Sequence, residues 1–600
     1  MALSADGGIA SARVKMLGAG PKGWIGDLTA IANDDWSYDR AAHLLERAGF
    51  GGTPADIKRL LSLGPRGAVE SLVRYRNIPD TLPAFEESSV WDPSLKNFPP
   101  SRVAATKRAE ALGEAMGVKV KPQGPRRLQP VVDRFFYWLR ATLLETRRLA
   151  QWWGDRMVAT SRPLEEKMTL FWHGHFATGE DKIRDYRKML QQLAFLRSNA
   201  TGNFRNLLTG VARDPAMLVF LDAAQNVKGA PNENFAREVM ELFSMGVGHY
   251  TESDIREAAR AFTGWIDDDL AFKVDAARHD DSPKTFLGQT GNFDGMDILK
   301  IILEQKITAE YIASKIYSFF VMDEPSDALK ARLGDLLRGA NYEIAPLLET
   351  IFLSRDFYAP PSFATRIKGP VELIVSTYRQ FGVKNLPGIP DFHAASRELG
   401  QILLNPPTVA GWAQGRAWMN PGAMLSRNNL ARDILFPNII DFADPSFDPG
   451  EQIREVNTKI RAGLDIGAAT IEQAAATGGM EAMTMANVVA SAEDFNTRYA
   501  SLVGWQEAVR RVKPILRNAA QFEIAGAIAD EGARTAEDAV DLLLLRFLHV
   551  QVAPQAREAL VDYLTSQIGS GDLAQASTYL EQPLRRVTHL IMSMPEYQLN

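Results

Sequence analysis

Apolar residues recur along this chain at the three- and four-residue spacing of a helix, and starting and stopping residues bracket run after run. In Tyr38–Ala48, Ala42, Leu44, Leu45 and Ala48 fall along one face, and Gly49 follows as a stop. Thr53-Pro54-Ala55-Asp56 then supplies an N-cap, a proline at the first helical position and an acid two positions later. Residues 163–172 begin at a proline, with Glu165 and Glu166 in the first turn, where carboxylates favour the helix dipole. Thr251-Glu252-Ser253-Asp254 opens another helix by a capping-box pattern. Strand signals are confined to 271–274 and 284–287, which a turn at His279-Asp280-Asp281 would join. Two strands alone are marginal. The expected fold class is therefore all-α, a large multi-helical body with at most a short β-hairpin near 271–287.

Composition shifts suggest how that body is organised. Residues 1–36 read as an N-terminal extension, 37–438 as the main helical domain, and 439–600 as a C-terminal helical region. The acidic, turn-rich stretch 439–452 is the boundary. Within the main domain, 94–127 is a basic insertion carrying Lys96, Arg102, Lys107, Arg108, Lys119, Lys121, Arg126 and Arg127 among prolines and glycines. Residues 464–494, rich in Ala, Gly, Thr and Met, fit a helical insertion or mobile connector.

Charge and cysteine content exclude several function classes. The chain has 73 acidic and 67 basic residues, a formal charge of −6, which argues against a nucleic-acid binder or a polybasic membrane-surface protein. No apolar run approaches the roughly 18 residues of a membrane span. The first twenty residues lack a charged region followed by an apolar stretch, so they do not read as a secretory signal, and the expected location is cytoplasmic. With no cysteine, disulfides, thiolate metal sites, iron–sulfur clusters and cysteine nucleophiles are all removed. Any metal has to be held by His, Asp, Glu, Asn or backbone oxygen.

Four stretches carry polar chemistry. His173 and His175 flank Gly174. Residues i and i+2 of an α-helix point about 200° apart, so a shared ion requires the helix from Pro163 to end near Trp172 and the pair to lie on extended chain. The bland alternative is two hydrogen-bonded imidazoles in an aromatic core. In the second stretch, Asn234, Glu238 and Glu241 share one helical face, spaced to offer two carboxylates to one ion or to serve as an acid and a base. Its alternative is a solvated face where Arg237 and Arg256 pair with those glutamates. The third, His279-Asp280, offers a ligand and a supporting carboxylate, or simply closes a turn. The last holds Trp412 and Trp418 in a Pro/Gly loop with Arg416, which suits a platform for a sugar ring or the loop's own packing anchors.

These stretches resemble, in order, a bacterial family known as the domain of unknown function number eighteen hundred. The likeness is carried by HLLERAGFGGTPADI (His43 to Ile57), EKMTLFWHGHFATG (Glu166 to Gly179), GNFRNLLTGVARDPAMLVFLD (Gly202 to Asp222) and PNENFAREVMELFSMGVGHYTESDIREAARAFTGW (Pro231 to Trp265). RHDDSPKTFLGQTG (Arg278 to Gly291), NPPTVAGW, GRAWMN and IMSMPEYQLN (Ile591 to Asn600) complete it. Gly174 departs from the family, which more often has Asn there. The resemblance implies no activity. It implies that many members are exported, so periplasmic or secreted placement is the alternative location, and that a sulfatase-like partner is encoded nearby. It also groups the polar motifs, including Asn232, Arg237 and Lys284, as one recognisable core.

The expected function is that of a metal-dependent enzyme, hydrolytic or oxidative, with one divalent ion on His173 and His175 completed by Glu238 or His279. Glu241 or Asp280 would be the general base or the support of a ligand. The alternative is a non-catalytic binding or assembly protein recognising a protein or polysaccharide through the basic insertion and the tryptophan loop.

Overall fold

The computed structural model describes residues 18–95, 129–437 and 497–600, apart from 516, 518, 521 and 549, and of the segments between them only 107 and 111. The boundary at 439–452, the 464–494 stretch and nearly all of the basic insertion lie outside the described residues.

Helices make up 61% of the structure, and among the described residues the strands form only two small two-stranded ladders, so the fold is mostly all-α. The capping signals act as the sequence indicates. The Thr53 hydroxyl accepts from the Asp56 N–H while the Asp56 carboxylate accepts from the Thr53 N–H, and Thr251 with Asp254 does the same. The strands differ from expectation. β1 (Trp265–Asp268) pairs antiparallel with β2 (Ala271–Val274), and β3 (Lys284–Phe286) pairs with β4 (Gln289–Gly291). Segments 271–274 and 284–287 thus each fold back on their own neighbour rather than on each other. A two-residue turn at Leu287-Gly288, both at positive φ, closes the second ladder, and Asp269 at φ +61° helps close the first.

Two large apolar cores organise the helices. The first gathers Leu44 and Leu45, Leu207 and Leu208, Ile312 and Ile316, and Leu347 and Leu348, with Trp24 and Ile31 of the N-terminal segment joining it. The second joins Leu149, Trp153 and Met157 of the long helix Gln129–Ala159 to Ile374 and Tyr378 of helix Pro370–Gln380. Ile524, Leu543, Leu584 and Ile591 complete that core, so the C-terminal helices share their interior with helices from the middle of the chain.

Helix Pro163–His175 contributes to both cores: Met168, Phe171 and Trp172 to the first, Leu170 to the second. Everything from Pro163 to His173 is buried, including three charged side chains. A buried charge needs a partner. Glu166 accepts from Arg156 Nε at 2.9 Å, Arg197 Nε at 3.1 Å and the Trp153 indole N–H at 2.9 Å, while Lys167 pairs with Glu372.

Candidate functional site

Helix Pro163–His175 does not stop at Trp172 but runs through both histidines, and its last N–H contact comes from Phe176 to the Trp172 carbonyl at 2.7 Å. The two rings therefore diverge instead of sharing a face, which corrects the extended geometry that a chelating pair requires. His173 lies between Trp153 and Trp412, with ring centroids 5.6 and 5.3 Å away. Its Nε2 accepts the Leu404 backbone N–H at 3.1 Å, and burial lowers its pKa to about 3. That nitrogen's lone pair is thus committed to the protein.

His175 turns the other way. Its ring stacks along Phe171 and approaches Tyr311, and its Nε2 lies 3.2 Å from the Phe243 carbonyl. A carbonyl oxygen only accepts, so Nε2 carries the hydrogen. Burial, reinforced by the nearby Lys315 charge, lowers the pKa to about 3 and keeps the ring neutral. Nδ1 is left as an unprotonated acceptor.

Phe243 lies two residues past the end of helix Asn234–Glu241, which carries the two predicted carboxylates. Burial and the charge of Glu241 raise the pKa of Glu238. Glu241 accepts from the Tyr250 hydroxyl at 3.1 Å. Burial, followed by the Glu241 charge, raises Tyr311 to about 12, so Glu241 is electrically linked to the tyrosine beside His175. Arg237 donates to Glu233 and Glu252 at 3.1 and 2.9 Å, not to Glu238 or Glu241.

His279 and Asp280 belong to a separate cluster. His279 Nδ1 lies 2.8 Å from the Thr263 carbonyl, and the Asp280 N–H donates to the Thr263 hydroxyl at 2.7 Å. Burial alone would raise the Asp280 pKa, but hydrogen bonds from Arg260, at 2.9 Å, and Ser282 hold it well below the usual carboxylate range. Lys284 is spent on the backbone carbonyls of Asp280 and Ser282, at 2.6 and 2.9 Å. Among the described residues no three His, Asp or Glu side chains are grouped so as to hold a metal ion. His173, His175, Glu238 and His279 thus do not form such a group.

What the structure does assemble is a cleft of about 120 Å³ beside His175. Tyr311, Lys315 and Phe319 of helix Lys306–Phe320 form one wall, Trp412, Gln414 and Trp418 another, and Arg366, Glu372 and Gln401 also line it. Lys315 has no acidic partner among the described residues. Its side chain is exposed at the cleft mouth, with the ammonium 5.3 Å from the Tyr311 ring centre. Arg366 is matched by Glu372 at 2.9 Å, which Lys167 also pairs. Burial would raise Glu372, but those two cations hold it well below its ordinary value. Trp412 leaves its indole N–H without an acceptor among the described residues.

The tryptophan loop reaches the histidine helix by backbone contact. A Cβ at Gly411, which sits at φ +84°, would lie 2.3 Å from the Gly174 carbonyl oxygen, so only glycine allows this approach. At Gly174 itself a Cβ would meet Trp412 at 3.7 Å, an ordinary contact. Arg416 is exposed and outside the cleft lining. Tyr311, Lys315, Arg366 and Gln401 belong to no motif read from the sequence. The one available signal was a lysine set within the apolar pattern IASKIYSFF.

Fold and site together define a mostly helical protein in which the histidine motif and the tryptophan loop meet at one cleft. The chain belongs to the family described as "Protein of unknown function (DUF1800)", whose model matches residues 43–599. No curated protein and no solved structure matches the chain.

Proposed function

We propose that this is a binding protein whose cleft beside His175 takes an acidic sugar ring of a polysaccharide. The carrying observation is an exposed lysine ammonium, without an acidic partner among the described residues, at a cleft walled by two tryptophans. The apolar C–H face of a sugar stacks on an indole, while its carboxylate meets Lys315 through a charge-assisted hydrogen bond. The Gln401 and Gln414 amides and the free Nδ1 of His175 are suited to its hydroxyls. Binding of polygalacturonate oligomers tests this. Lys315→Ala is expected to weaken it about tenfold, the loss of one hydrogen bond to a charged group. Equal affinity for neutral glucan oligomers would count against the proposal.

A metal-dependent enzyme is the second function, and one observation favours it. Donation of the His175 Nε2–H to a backbone carbonyl is the arrangement that orients a ligating imidazole. Nδ1 would then hold one divalent ion, with Glu238 or Glu241 completing the site and hydrolysis or oxidation as the chemistry. The adjacent Lys315 charge opposes a cation there, which ranks this function second. Metal analysis of untagged protein decides it: an ion present at one per chain, lost in His175→Ala and kept in His173→Ala, supports it. Protein that takes up no ion when dialysed against zinc or manganese rejects it.

A further inference from the structure

At the other end of the histidine helix, where Gln129–Ala159 stops and Pro163 restarts the chain, a second cavity of about 300 Å³ opens. Its charged lining comes from Asp56, Arg59, Arg379 and Lys384, with Ser71, Thr160 and Ser161 as hydroxyls. Arg379 is half-buried and fixed. Its Nε donates to the Gly51 carbonyl at 3.0 Å, and its Nη1 donates to Met157, Val158 and Thr160 carbonyls at 3.1, 3.0 and 3.2 Å. The bonds to Met157 and Val158 satisfy carbonyls that the long helix leaves open at its end. Nη2 has no acceptor among the described residues.

Arg59 and Lys384 are exposed at the rim, and neither forms an ion pair among the described residues. Asp56 is the lone carboxylate of the lining. Its Oδ2 is already committed to the Thr53 N–H and hydroxyl, at 2.9 and 2.8 Å. Three cations against one carboxylate leave the lining at 3 − 1 = +2. A guanidinium held rigid by four carbonyls is pre-organised, and guanidinium with ammonium is the donor set that suits phosphate oxygens. The motif around Thr53–Asp56, which takes no part in the first cleft, builds one wall of this cavity.

We propose that the cavity at Arg59, Arg379 and Lys384 is a second ligand site that binds a phosphate monoester of a small molecule. It does not depend on the sugar reading of the His175 cleft. Calorimetric titration with inorganic phosphate, against sodium chloride of equal ionic strength, tests it in wild-type protein, in Arg59→Ala with Lys384→Ala, and in Lys315→Ala. Saturable phosphate binding is expected, weakened at least roughly tenfold in the double variant and unchanged in Lys315→Ala. Both rim residues are exposed, so the double variant should melt as wild type does without phosphate. Lys384→Glu alone, which leaves Arg379 untouched, is expected to show the same loss. No saturable binding in wild type, unchanged affinity in the rim variants, or loss in Lys315→Ala would each overturn the proposal.

Discussion

His173 and His175 are two residues apart on one helix, both neutral, and yet they inhabit different regions. His173 is wedged between Trp153 and Trp412 with its acceptor nitrogen bound to Leu404. His175 lies on the wall of a cleft with its Nε2–H anchored and its Nδ1 free. The contrast follows from helical geometry, since a 200° rotation carries one ring into a sealed interface and the other to a cleft. A pair of like residues close in sequence is thus no evidence for a shared task; the conformation between them decides.

The largest expected effect separates the two regions by stability. His173→Ala removes two aromatic contacts and a buried hydrogen bond and leaves a void, so it should cost about 2–4 kcal/mol in urea unfolding. His175→Ala should cost less than His173→Ala while impairing whatever the cleft binds. Equal losses in the two variants would erase the distinction.

Acid sharpens it further. The pKa of His173 is about 3 in the folded protein and near 6.5 when unfolded. Between those values the unfolded chain takes up a proton that the folded one refuses, so stability is full above pH 6.5 and falls as pH drops toward 3. His173 alone contributes a slope of up to about 1.4 kcal/mol per pH unit within that window. His173→Gln should flatten the measured slope by a comparable amount, and an unchanged slope would show that this ring is not the group refusing the proton.

The smallest effect lies at the His279-Asp280 turn. Asp280→Asn weakens the contact with Arg260, whose side chain is 25% exposed, so a loss of about 1 kcal/mol is expected. Cleft binding should stay at its wild-type value. A drop in polygalacturonate affinity would show that the His279–Asp280 turn is coupled to the cleft.

Helix positions were largely legible because caps and apolar periodicity are local properties of the chain. Thr53-Pro54-Ala55-Asp56 and Thr251 to Asp254 each start a helix by bonds within four residues. Strand partners were less so. Segments 271–274 and 284–287 carry the right residues, but tight turns at Asp269 and at Leu287-Gly288 chose their partners. At the site, the histidine motif and the tryptophan loop were visible as unusual residues. Lys315, Arg366 and Gln401 were not, because each sits singly on an element whose pattern reads as ordinary helix or loop.

Taken alone, the order of residues determined an all-helical body, the starts of its helices, the absence of thiol chemistry and the family to which the chain belongs. Tertiary structure decided which polar groups face one another. It split the histidine pair, held His279 and Asp280 in their own turn, and brought Trp412 from more than two hundred residues away against His173 and into the cleft beside His175. The reason is physical: periodicity and capping act within a few residues, whereas a cleft is made by helices packing across long separations, and no local pattern encodes which faces will meet.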